Sequence, residues 1–273
     1  MSANKTCRTD AGTILHYRVS GQGQPILLLH GFGEDGSIWE PMEERLRRHF
    51  RVYIPDIPGS GLSELLPLEP DALPCIEDFA RAVKAMVDTE QLPPLPVIGH
   101  SMGGYIALAM AEAFPGLLTK LGLFHSTARA DSPERKAMRI KALELIERKG
   151  AVWFLREVTP INYSPGWREK NPEKMQSILE NLSAFSDAAV IRYYRAIMNR
   201  PDRSELLKKF PGPVLFIAGK EDQAVPLQQT LAECWLPRIS QLSVLPETAH
   251  TGMWEEPERA AAAVLHFLQL VEP

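Results

Sequence analysis

The sequence predicts an α/β fold built on a mainly parallel sheet. Short apolar runs alternate along the chain with longer segments in which apolar residues recur at helical spacing. Most of the apolar runs are continuous, which is typical of parallel strands covered on both faces. Alternation of strand and helix is the pattern of α/β proteins, whose helices pack on both sides of one sheet. A chain of 273 residues is long enough to bury such a core without disulfide bonds.

Seven strands and three helices can be placed by their residue patterns. Thr13–Val19 alternates in polarity and is predicted to be an antiparallel strand at the edge of the sheet. Helices are predicted at Ile76–Thr89, Met102–Phe114 and Pro257–Val271. The other strands are predicted at Ile26–Leu29, Val52–Ile54, Leu95–Ile98, Leu121–Phe124, Val214–Ala218 and Gln241–Leu245.

Residues 126–209 break the alternation, because they contain several helical patterns and no convincing strand. Ser132 is a typical N-cap before Pro133, and Gly150 stands just past the end of the same helix. Further helix starts are predicted at Asn171-Pro172 and Ser186-Asp187. The segment is therefore predicted to be a helical insertion, or cap, that separates the core segments 1–125 and 210–273.

The composition excludes several classes of protein. A net charge of −4 without a basic run argues against a nucleic-acid partner. The first ten residues are polar and lack the apolar stretch of a signal peptide. No apolar run approaches the ~20 residues that span a bilayer. Cys7, Cys75 and Cys234 form no C-x-x-C pair, which predicts neither a zinc site nor a redox motif and favours a reducing, cytoplasmic location.

The strongest chemical signal is the segment Gly99-His100-Ser101-Met102-Gly103-Gly104, which follows a predicted strand and opens a predicted helix. In that context a G-x-S-x-G sequence forms a sharp turn, the nucleophile elbow, that lifts the serine hydroxyl above the sheet. Gly99 and Gly103 are needed because side chains there would collide with their neighbours in the strained turn. The turn also directs the backbone N–H of Met102 to where an oxyanion would form. The segment predicts Ser101 as a nucleophile.

With this motif, the sequence resembles the α/β-hydrolase superfamily over nearly the whole chain. The resemblance implies an eight-stranded, mostly parallel sheet with helices on both faces and a helical cap inserted after strand 6. It also implies that the segment His30-Gly31-Phe32-Gly33, after the first buried strand, supplies the second oxyanion donor from the backbone N–H of Phe32. Gly31 permits close approach of the backbone, and His30 is interpreted as a structural rather than a catalytic histidine.

A serine hydroxyl is a poor nucleophile near neutral pH and needs a base that a further group orients. Among the seven histidines, His250 lies after the last predicted strand and before the final helix, which is the superfamily's position for the base. Asp222 lies in a segment that matches the superfamily's G-x-x-D-x-x-x-P pattern for the acid. The order Ser101, Asp222, His250 is the one this fold uses. Glu221 is the rival acid, and capping of the next helix is the alternative role of Asp222.

A substrate pocket is predicted beside these motifs, with His30, Trp39, His125 and Met253 as lining residues. For His125, which ends a strand, a buried and hydrogen-bonded role is the alternative. The cap carries 17 Lys and Arg against 11 Asp and Glu, which fits either a solvated helix surface or a preference for anionic substrates. The cap aromatics are predicted to divide between core and pocket roof; they are Trp153, Phe154, Tyr163, Trp167, Phe185, Tyr193 and Tyr194.

The predicted function is carboxylesterase-like hydrolysis of a small-molecule ester through an acyl-enzyme, without a metal or an organic cofactor. Haloalkane dehalogenases and epoxide hydrolases resemble this architecture but attack with aspartate, whereas this chain has Ser101 at the elbow. C–C hydrolases, a menaquinone-pathway lyase and perhydrolases resemble it in using the same triad, so these alternatives stay open. The non-enzymatic alternative is a ligand-binding receptor of the same fold.

Overall fold

The structure, a computed structural model, describes residues 2–67 and 72–270, apart from the side chain of Ser183. Within these residues, one sheet has the strand order β1-β2-β4-β3-β5-β6-β7-β8. The strands are β1 (Ser2–Arg8), β2 (Ile14–Gly21), β3 (Pro25–Leu29), β4 (Arg51–Pro55), β5 (Leu95–His100), β6 (Leu118–Phe124), β7 (Val214–Gly219) and β8 (Ser240–Leu245). Every pair from β4 to β8 is parallel. The predicted fold class is confirmed.

The prediction for the first strand is partly wrong. β2 is antiparallel, as expected, but it lies inside the sheet, because β1 pairs with it from Ser2↔Ser20 to Arg8↔Ile14. The true edge, β1, has one buried residue, Cys7, and a mostly polar sequence. Backbone pairing rather than an apolar pattern holds such an edge strand, so the residue pattern did not reveal it.

The helices of the described residues fall into a core set and an inserted set. In the core, the helix Ile76–Thr89 (α2) matches its prediction in both bounds, and the helix Met102–Ala113 (α3) ends one residue before its predicted end. The last residue predicted for the final helix, Val271, lies outside the described residues. The core helices are α1 (Glu40–Leu46), α2 (Ile76–Thr89), α3 (Met102–Ala113), α10 (Leu227–Leu231), α11 (Gly252–Glu255) and α12 (Pro257–Gln269), with a 3-10 helix at Gly36–Trp39.

The inserted set lies between β6 and β7, so the helical cap after strand 6 is confirmed. The Ser132 hydroxyl caps the helix Pro133–Lys149 (α4) by accepting the Arg135 backbone N–H at 3.3 Å, and Gly150 ends that helix. The division of the core into segments 1–125 and 210–273 stays a prediction. Residues 1, 68–71 and 271–273 of these segments lie outside the described residues. The inserted helices are α4 (Pro133–Lys149), α5 (Ala151–Val158), α6 (Pro165–Lys170), α7 (Pro172–Asn181), α8 (Asp187–Asn199) and α9 (Ser204–Lys209), with 3-10 helices at Thr159–Asn162 and Leu182–Ala184.

Both faces of the sheet are covered, as continuous apolar strands require. Leu27 and Leu29 of β3 face one core, which α2 and α3 cover, whereas Ile26 and Leu28 face the other, which α1 and α12 cover. The carboxyl ends of the parallel strands therefore open toward the cap at one edge of the sheet. None of the helices in the described ranges combines the length and apolar character needed to span a bilayer.

Candidate active site

Ser101 lies in a strained turn between β5 and α3, with φ 49° and ψ −114°. A positive φ is uncommon for a residue with a side chain and often marks a functional site. The Ser101 N–H donates to the Phe124 carbonyl of β6 at 2.9 Å, and the Ser126 hydroxyl donates to the Ser101 carbonyl at 2.7 Å. These bonds fix the turn, which presents the half-buried Ser101 side chain to a cavity.

Glycines allow this turn to form. A Cβ atom at Gly99 would overlap the backbone of Gly103, and a Cβ atom at Gly103 would overlap the Leu29 carbonyl. A Cβ atom at Gly31 would lie 3.1 Å from the Cβ of Ser101. The predicted steric reason for the elbow glycines therefore agrees with the structure, and the loop after β3 lies directly against Ser101.

Asp222 and His250 are joined by a hydrogen bond. His250 Nδ1 lies 2.8 Å from Asp222 Oδ2. The other oxygen, Oδ1, accepts the backbone N–H groups of Ala224 and Val225, both at 2.8 Å. Asp222 thus caps its own loop with one oxygen and orients His250 with the other. The rival acid, Glu221, is exposed. Since Nδ1 faces a carboxylate, the neutral ring carries its hydrogen there and leaves Nε2 as an acceptor.

The surroundings shift the pKa values of Asp222 and His250 in opposite directions. Burial alone would raise the pKa of Asp222, but the charge of His250 and hydrogen bonds from His125 and His250 outweigh it and lower that pKa. Burial alone would lower the pKa of His250, but the Asp222 carboxylate outweighs it and raises that pKa above its ordinary value. An ionised Asp222 beside a histidine of raised proton affinity is the electrostatic arrangement a general base needs.

Ser101 and His250 line the same cavity. Within the described residues, no hydrogen bond joins the Ser101 hydroxyl to the His250 ring. Bonds of this kind are often long until a substrate is bound.

Two backbone N–H groups beside Ser101 have no hydrogen-bond partner in the described part of the chain: those of Phe32 and Met102. Met102 is the first residue of α3, and first-turn N–H groups have no partner within their own helix. Phe32 lies on the cavity wall. Their role as the two donors of an oxyanion hole stays a prediction.

Buried hydrogen bonds through Glu34 and His100 tie the Phe32 loop to the His250 loop. Glu34 Oε2 accepts the Gly31 N–H at 2.8 Å and lies 2.8 Å from His100 Nδ1. His100 Nε2 lies 2.8 Å from the His250 carbonyl. Burial alone would raise the pKa of Glu34, but the His100 charge and the hydrogen bonds lower it. His100 therefore bridges the carboxylate of the Phe32 loop and the backbone of the His250 loop.

His125 makes a second hydrogen bond to the triad carboxylate. Its Nδ1 lies 3.0 Å from Asp222 Oδ2, the same oxygen that meets His250. The His125 side chain is fully buried. One ring nitrogen from each of His125 and His250 and one carboxylate oxygen of Asp222 lie within 4.8 Å of one another. We assign these atoms to the two hydrogen bonds rather than to a metal ion.

The cavity beside Ser101 has a volume of about 290 Å³ and lies between core and cap. That size suits a small molecule rather than a polymer. A second cavity of about 170 Å³ shares Phe32, Glu34 and Asn162 with it. The cap residues that line the first cavity are Arg135, Met138, Arg139, Val158, Asn162, Tyr194 and Ile197, and the core residues are Phe32, Glu34, Ser101, Tyr105, Gln223, Ala224, Val225 and His250.

The cap also holds the loop that carries His250. The His250 N–H donates to the Asn162 carbonyl at 2.8 Å, and the Thr251 hydroxyl donates to the same carbonyl at 3.2 Å. Trp167 Nε1 of α6 donates to the Trp254 carbonyl at 3.1 Å. The cap therefore fixes the backbone of the predicted base and of the residues after it, as well as covering the cavity.

The predicted pocket residues differ from the observed lining. His30, Trp39, His125 and Met253 are fully buried, and none of them lines either cavity beside Ser101. His30 accepts the Ile57 N–H at 2.8 Å, so its structural interpretation holds. Trp39 and Met253 belong to the core on the α12 face of the sheet. These residues adjoin the motifs in sequence, but their side chains point into the protein beneath them.

Most of the cap aromatics divide between core and cavities, as predicted, whereas Trp153 and Trp167 belong to neither. Tyr194 lines the first cavity, while Tyr163 and Phe185 line the second. Tyr193 is buried in the core, where its hydroxyl donates to the Pro58 carbonyl at 2.9 Å, and Trp153 is 42% exposed.

Sequence reasoning missed the charged residues of the cavity. Arg139 donates to Asp131 at 2.5 Å, and Asp131 also pairs with Arg200 at 2.9 Å. Arg135 has no ion-pair partner among the described residues. Its spacing of four residues from Arg139 in a predicted helix was the available signal, since such residues share one helix face. Glu34 gave no such signal.

A model of the alpha/beta hydrolase family matches residues 26–263. The chain is 29% identical to a thermophilic esterase from Thermogutta terrifontis, solved with malate bound, with a TM-score of 0.89 and 98% coverage of both chains.

Two curated relatives align with nearly as large a share of this chain. A Rhizobium rhizogenes protein, whose assignment as the carbamate hydrolase RutD is itself provisional, is 26% identical over 93% of this chain and 98% of its own. A 2-hydroxy-6-oxononadienedioate/2-hydroxy-6-oxononatrienedioate hydrolase from Burkholderia vietnamiensis is 27% identical over 93% of this chain and 91% of its own. With the family model spanning most of its length, this chain belongs to the alpha/beta hydrolase family.

Proposed function

We propose that this hydrolase cleaves small-molecule carboxylic esters through an acyl-enzyme on Ser101. The observation that carries the proposal is the convergence of three features on one cavity. They are the Ser101 side chain, the His250 ring held by Asp222, and the unpartnered backbone N–H groups of Phe32 and Met102. A nucleophile, an oriented base and donors for a developing oxyanion are the parts that acyl transfer requires.

In the first half of the proposed reaction, His250 Nε2 removes the proton of the Ser101 hydroxyl as Oγ attacks the ester carbonyl. The tetrahedral intermediate places its negative oxygen between the N–H groups of Phe32 and Met102. His250 then gives the proton to the departing alkoxide, the C–O bond breaks, and the acyl group remains on Ser101. Asp222 stabilises the imidazolium that forms in between and does not take the proton.

In the second half, water takes the place of the alcohol. His250 removes a proton from that water, which attacks the acyl carbonyl. Collapse of the second intermediate returns the proton to Ser101 and releases the carboxylic acid. Hydrogen bonds that exist before the reaction need no reorganisation when charge develops, which is why the rigid Phe32 and Met102 donors are effective.

An ester is favoured because serine acyl transfer accounts for every group at the site. The resemblance to the Thermogutta terrifontis esterase supports this choice. The relative named as a dienedioate hydrolase makes C–C bond hydrolysis the second candidate. Lyase, perhydrolase and receptor roles remain as further alternatives. We also propose that the reaction needs no metal or organic cofactor and takes place in the cytoplasm, where free Cys7, Cys75 and Cys234 would stay reduced.

Steady-state hydrolysis tests the proposal. We expect the protein to hydrolyse a short-chain p-nitrophenyl ester with saturation and many turnovers, at a kcat of about 1 to 10³ s⁻¹. A single equivalent of product per protein would instead indicate a receptor. Absence of ester hydrolysis together with cleavage of a dienoic diketone would replace the ester proposal with the C–C alternative.

We propose further that the preferred ester carries an anionic substituent. Apolar side chains from cap and core, Met138, Val158 and Ile197 among them, suit an acyl chain. Arg139 is ion-paired with Asp131, which also pairs with Arg200, whereas Arg135 lies on the cavity without an ion-pair partner among the described residues. Its charge is available to a carboxylate on the substrate.

The change Arg135→Gln is expected to raise KM for a carboxylated ester by about three- to tenfold and to leave KM for a neutral ester unchanged. The effect is modest because the Arg135 side chain is only half-buried. In the unmodified protein, KM for the carboxylated ester should rise with salt concentration. Arg148→Gln, which removes an exposed charge from the same helix away from the cavity, is the matched control. A salt-independent KM would contradict the proposal.

A further inference from the structure

We propose that His125 is a positioning residue that shares the Asp222 carboxylate with His250 and so sets the pH at which His250 becomes a neutral base. The inference rests on the proposed function, in which His250 must be neutral to accept the Ser101 proton. His125 does not line the cavity, and the group that it shares with His250 is the Asp222 carboxylate.

The hydrogen-bond partners of His125 fix its tautomer. Its Nε2 lies 3.2 Å from the backbone N–H of Gly252, which is a donor, so Nε2 accepts and the ring hydrogen sits on Nδ1. Nδ1 then donates to Asp222 Oδ2 at 3.0 Å. The Gly219 N–H also lies 3.2 Å from Nδ1, but it has no acceptor there once Nδ1 carries the hydrogen. Burial lowers the pKa of His125 despite the carboxylate beside it, which keeps the ring neutral.

The backbone is arranged around this ring. His125 follows β6 with φ 47°, a left-handed conformation that residues with side chains seldom adopt. A Cβ atom at Gly252 would lie 2.7 Å from His125 Nε2, and a Cβ atom at Gly219 would lie 3.0 Å from its Cε1. One of these glycines ends the strand before the acid and the other begins the helix after the base. The loop that carries Asp222, the loop that carries His250 and the end of β6 therefore all pack against the His125 ring.

Sharing one oxygen atom has an electrostatic consequence. A hydrogen bond from His125 withdraws negative charge from Asp222 Oδ2, and less charge is left to stabilise the protonated form of His250. Without that bond, the carboxylate would hold the His250 proton more strongly. His250 would then become neutral only at a higher pH. His125 thus keeps the base available nearer neutrality.

Other charged or titratable groups also face His250. They are the Glu34 carboxylate from the loop after β3, the His100 imidazole from β5 and the Glu255 carboxylate from α11. None of these groups bonds to Asp222 Oδ2 among the described residues, and a change at His125 leaves all of them in place. A shift in the pH dependence after such a change therefore reports the shared carboxylate.

Two variants of His125 separate the hydrogen bond from the packing. Asparagine can place its amide nitrogen near the position of Nδ1 and so keep the donor, whereas leucine removes it. Both variants lose the acceptor for Gly252, so that loss cancels in their comparison, and the position of the pH limb separates the bond to Asp222 from backbone strain at φ 47°. The wild-type kcat/KM for a neutral ester rises with pH, because His250 must lose its proton, and reaches a plateau above the raised pKa of that residue.

In His125→Leu the rising limb is expected to move about one pH unit upward, with a plateau within about threefold of wild type and an unchanged KM. One unit corresponds to an about tenfold loss of kcat/KM on the rising limb. In His125→Asn the limb stays close to that of wild type. Structural damage alone would lower the plateau without moving the limb. A limb in His125→Leu that coincides with wild type, or an equal shift in both variants, would overturn the proposal.

If His125→Leu does not fold, a measurement on the wild type tests the proposed role of His125 instead. Nitrogen-15 NMR of the histidine rings over a pH titration should find His125 neutral, with its hydrogen on Nδ1, throughout the range in which His250 titrates. A His125 ring that carries its hydrogen on Nε2, or that titrates together with His250, would contradict the proposal. Failure of the wild type to turn over any ester would instead contradict the proposed function, and the NMR result would stand apart from it.

Discussion

Replacing Ser101 with alanine is expected to lower kcat for an activated ester by about 10⁵- to 10⁶-fold while leaving the protein folded. Without Oγ no acyl-enzyme can form, and only the slow attack of water in a preorganised site remains. The Ser101 hydroxyl has no hydrogen-bond partner in the described part of the chain and faces a cavity, so its removal leaves the packing unchanged. Steady-state kcat and the thermal unfolding midpoint of both proteins provide the comparison.

The matched control is Ser126→Ala. The Ser126 hydroxyl donates to the Ser101 carbonyl at 2.7 Å, so this change removes a hydroxyl from the same elbow without removing the nucleophile. We expect a loss of stability of about 1 kcal/mol and less than a tenfold loss of kcat. A Ser101→Ala protein that keeps kcat within tenfold of wild type would contradict the assignment of the nucleophile.

The change Asp222→Asn is expected to lower kcat by about 10⁴-fold. The backbone N–H groups of Ala224 and Val225 bind the Oδ1 position and will hold the amide oxygen there. The amide nitrogen must then take the Oδ2 position, where it donates to His250 Nδ1. That forces the ring hydrogen onto Nε2, and a ring in that tautomer cannot accept the Ser101 proton.

Glu221→Gln is the control for the choice of acid. Glu221 is the adjacent residue and is exposed, so its neutralisation should change kcat by no more than about twofold. The expected signature of Asp222→Asn is a lower kcat at an unchanged KM, since Asp222 does not line the cavity. Equal losses in the two variants would contradict the role of Asp222.

Local signals were enough to predict the fold class and to select the residues that meet at the cavity. The elbow is a short segment whose shape follows from Gly99 and Gly103, so it can be recognised without any long-range contact. Asp222 and His250 were selected by their positions after predicted strands. Parallel strands end at the same edge of a sheet, and placing residues after strands therefore brings them together.

The pocket lining could not be predicted in the same way. Trp39 and Met253 lie close in sequence to the motifs, yet both are fully buried in the core on the other face of the sheet. Side-chain direction in a loop depends on backbone angles that residue patterns do not reveal. Arg135 and Tyr194 line the cavity because α4 and α8 dock above it, and that docking is a long-range property.

Long-range hydrogen bonds were equally hidden from the sequence. His125 meets Asp222 across 97 residues of chain, and Glu34 meets His100 across 66. A buried role for His125 was one of the alternatives, but its partner depended on the register of β6 beside β7. The strand β1 was not predicted for another reason. Its mostly polar residues give no apolar pattern, and only its pairing with β2 defines it.

Covalent labelling with a fluorophosphonate probe tests the central claim most directly, because the probe reacts with a serine only when a base has activated it. The experiment compares wild type, Ser101→Ala and His250→Ala, with peptide mapping of the labelled site. The account predicts stoichiometric labelling of the wild type at Ser101 and no labelling of either variant. A folded wild type that does not react, or that is labelled at another residue, would contradict it.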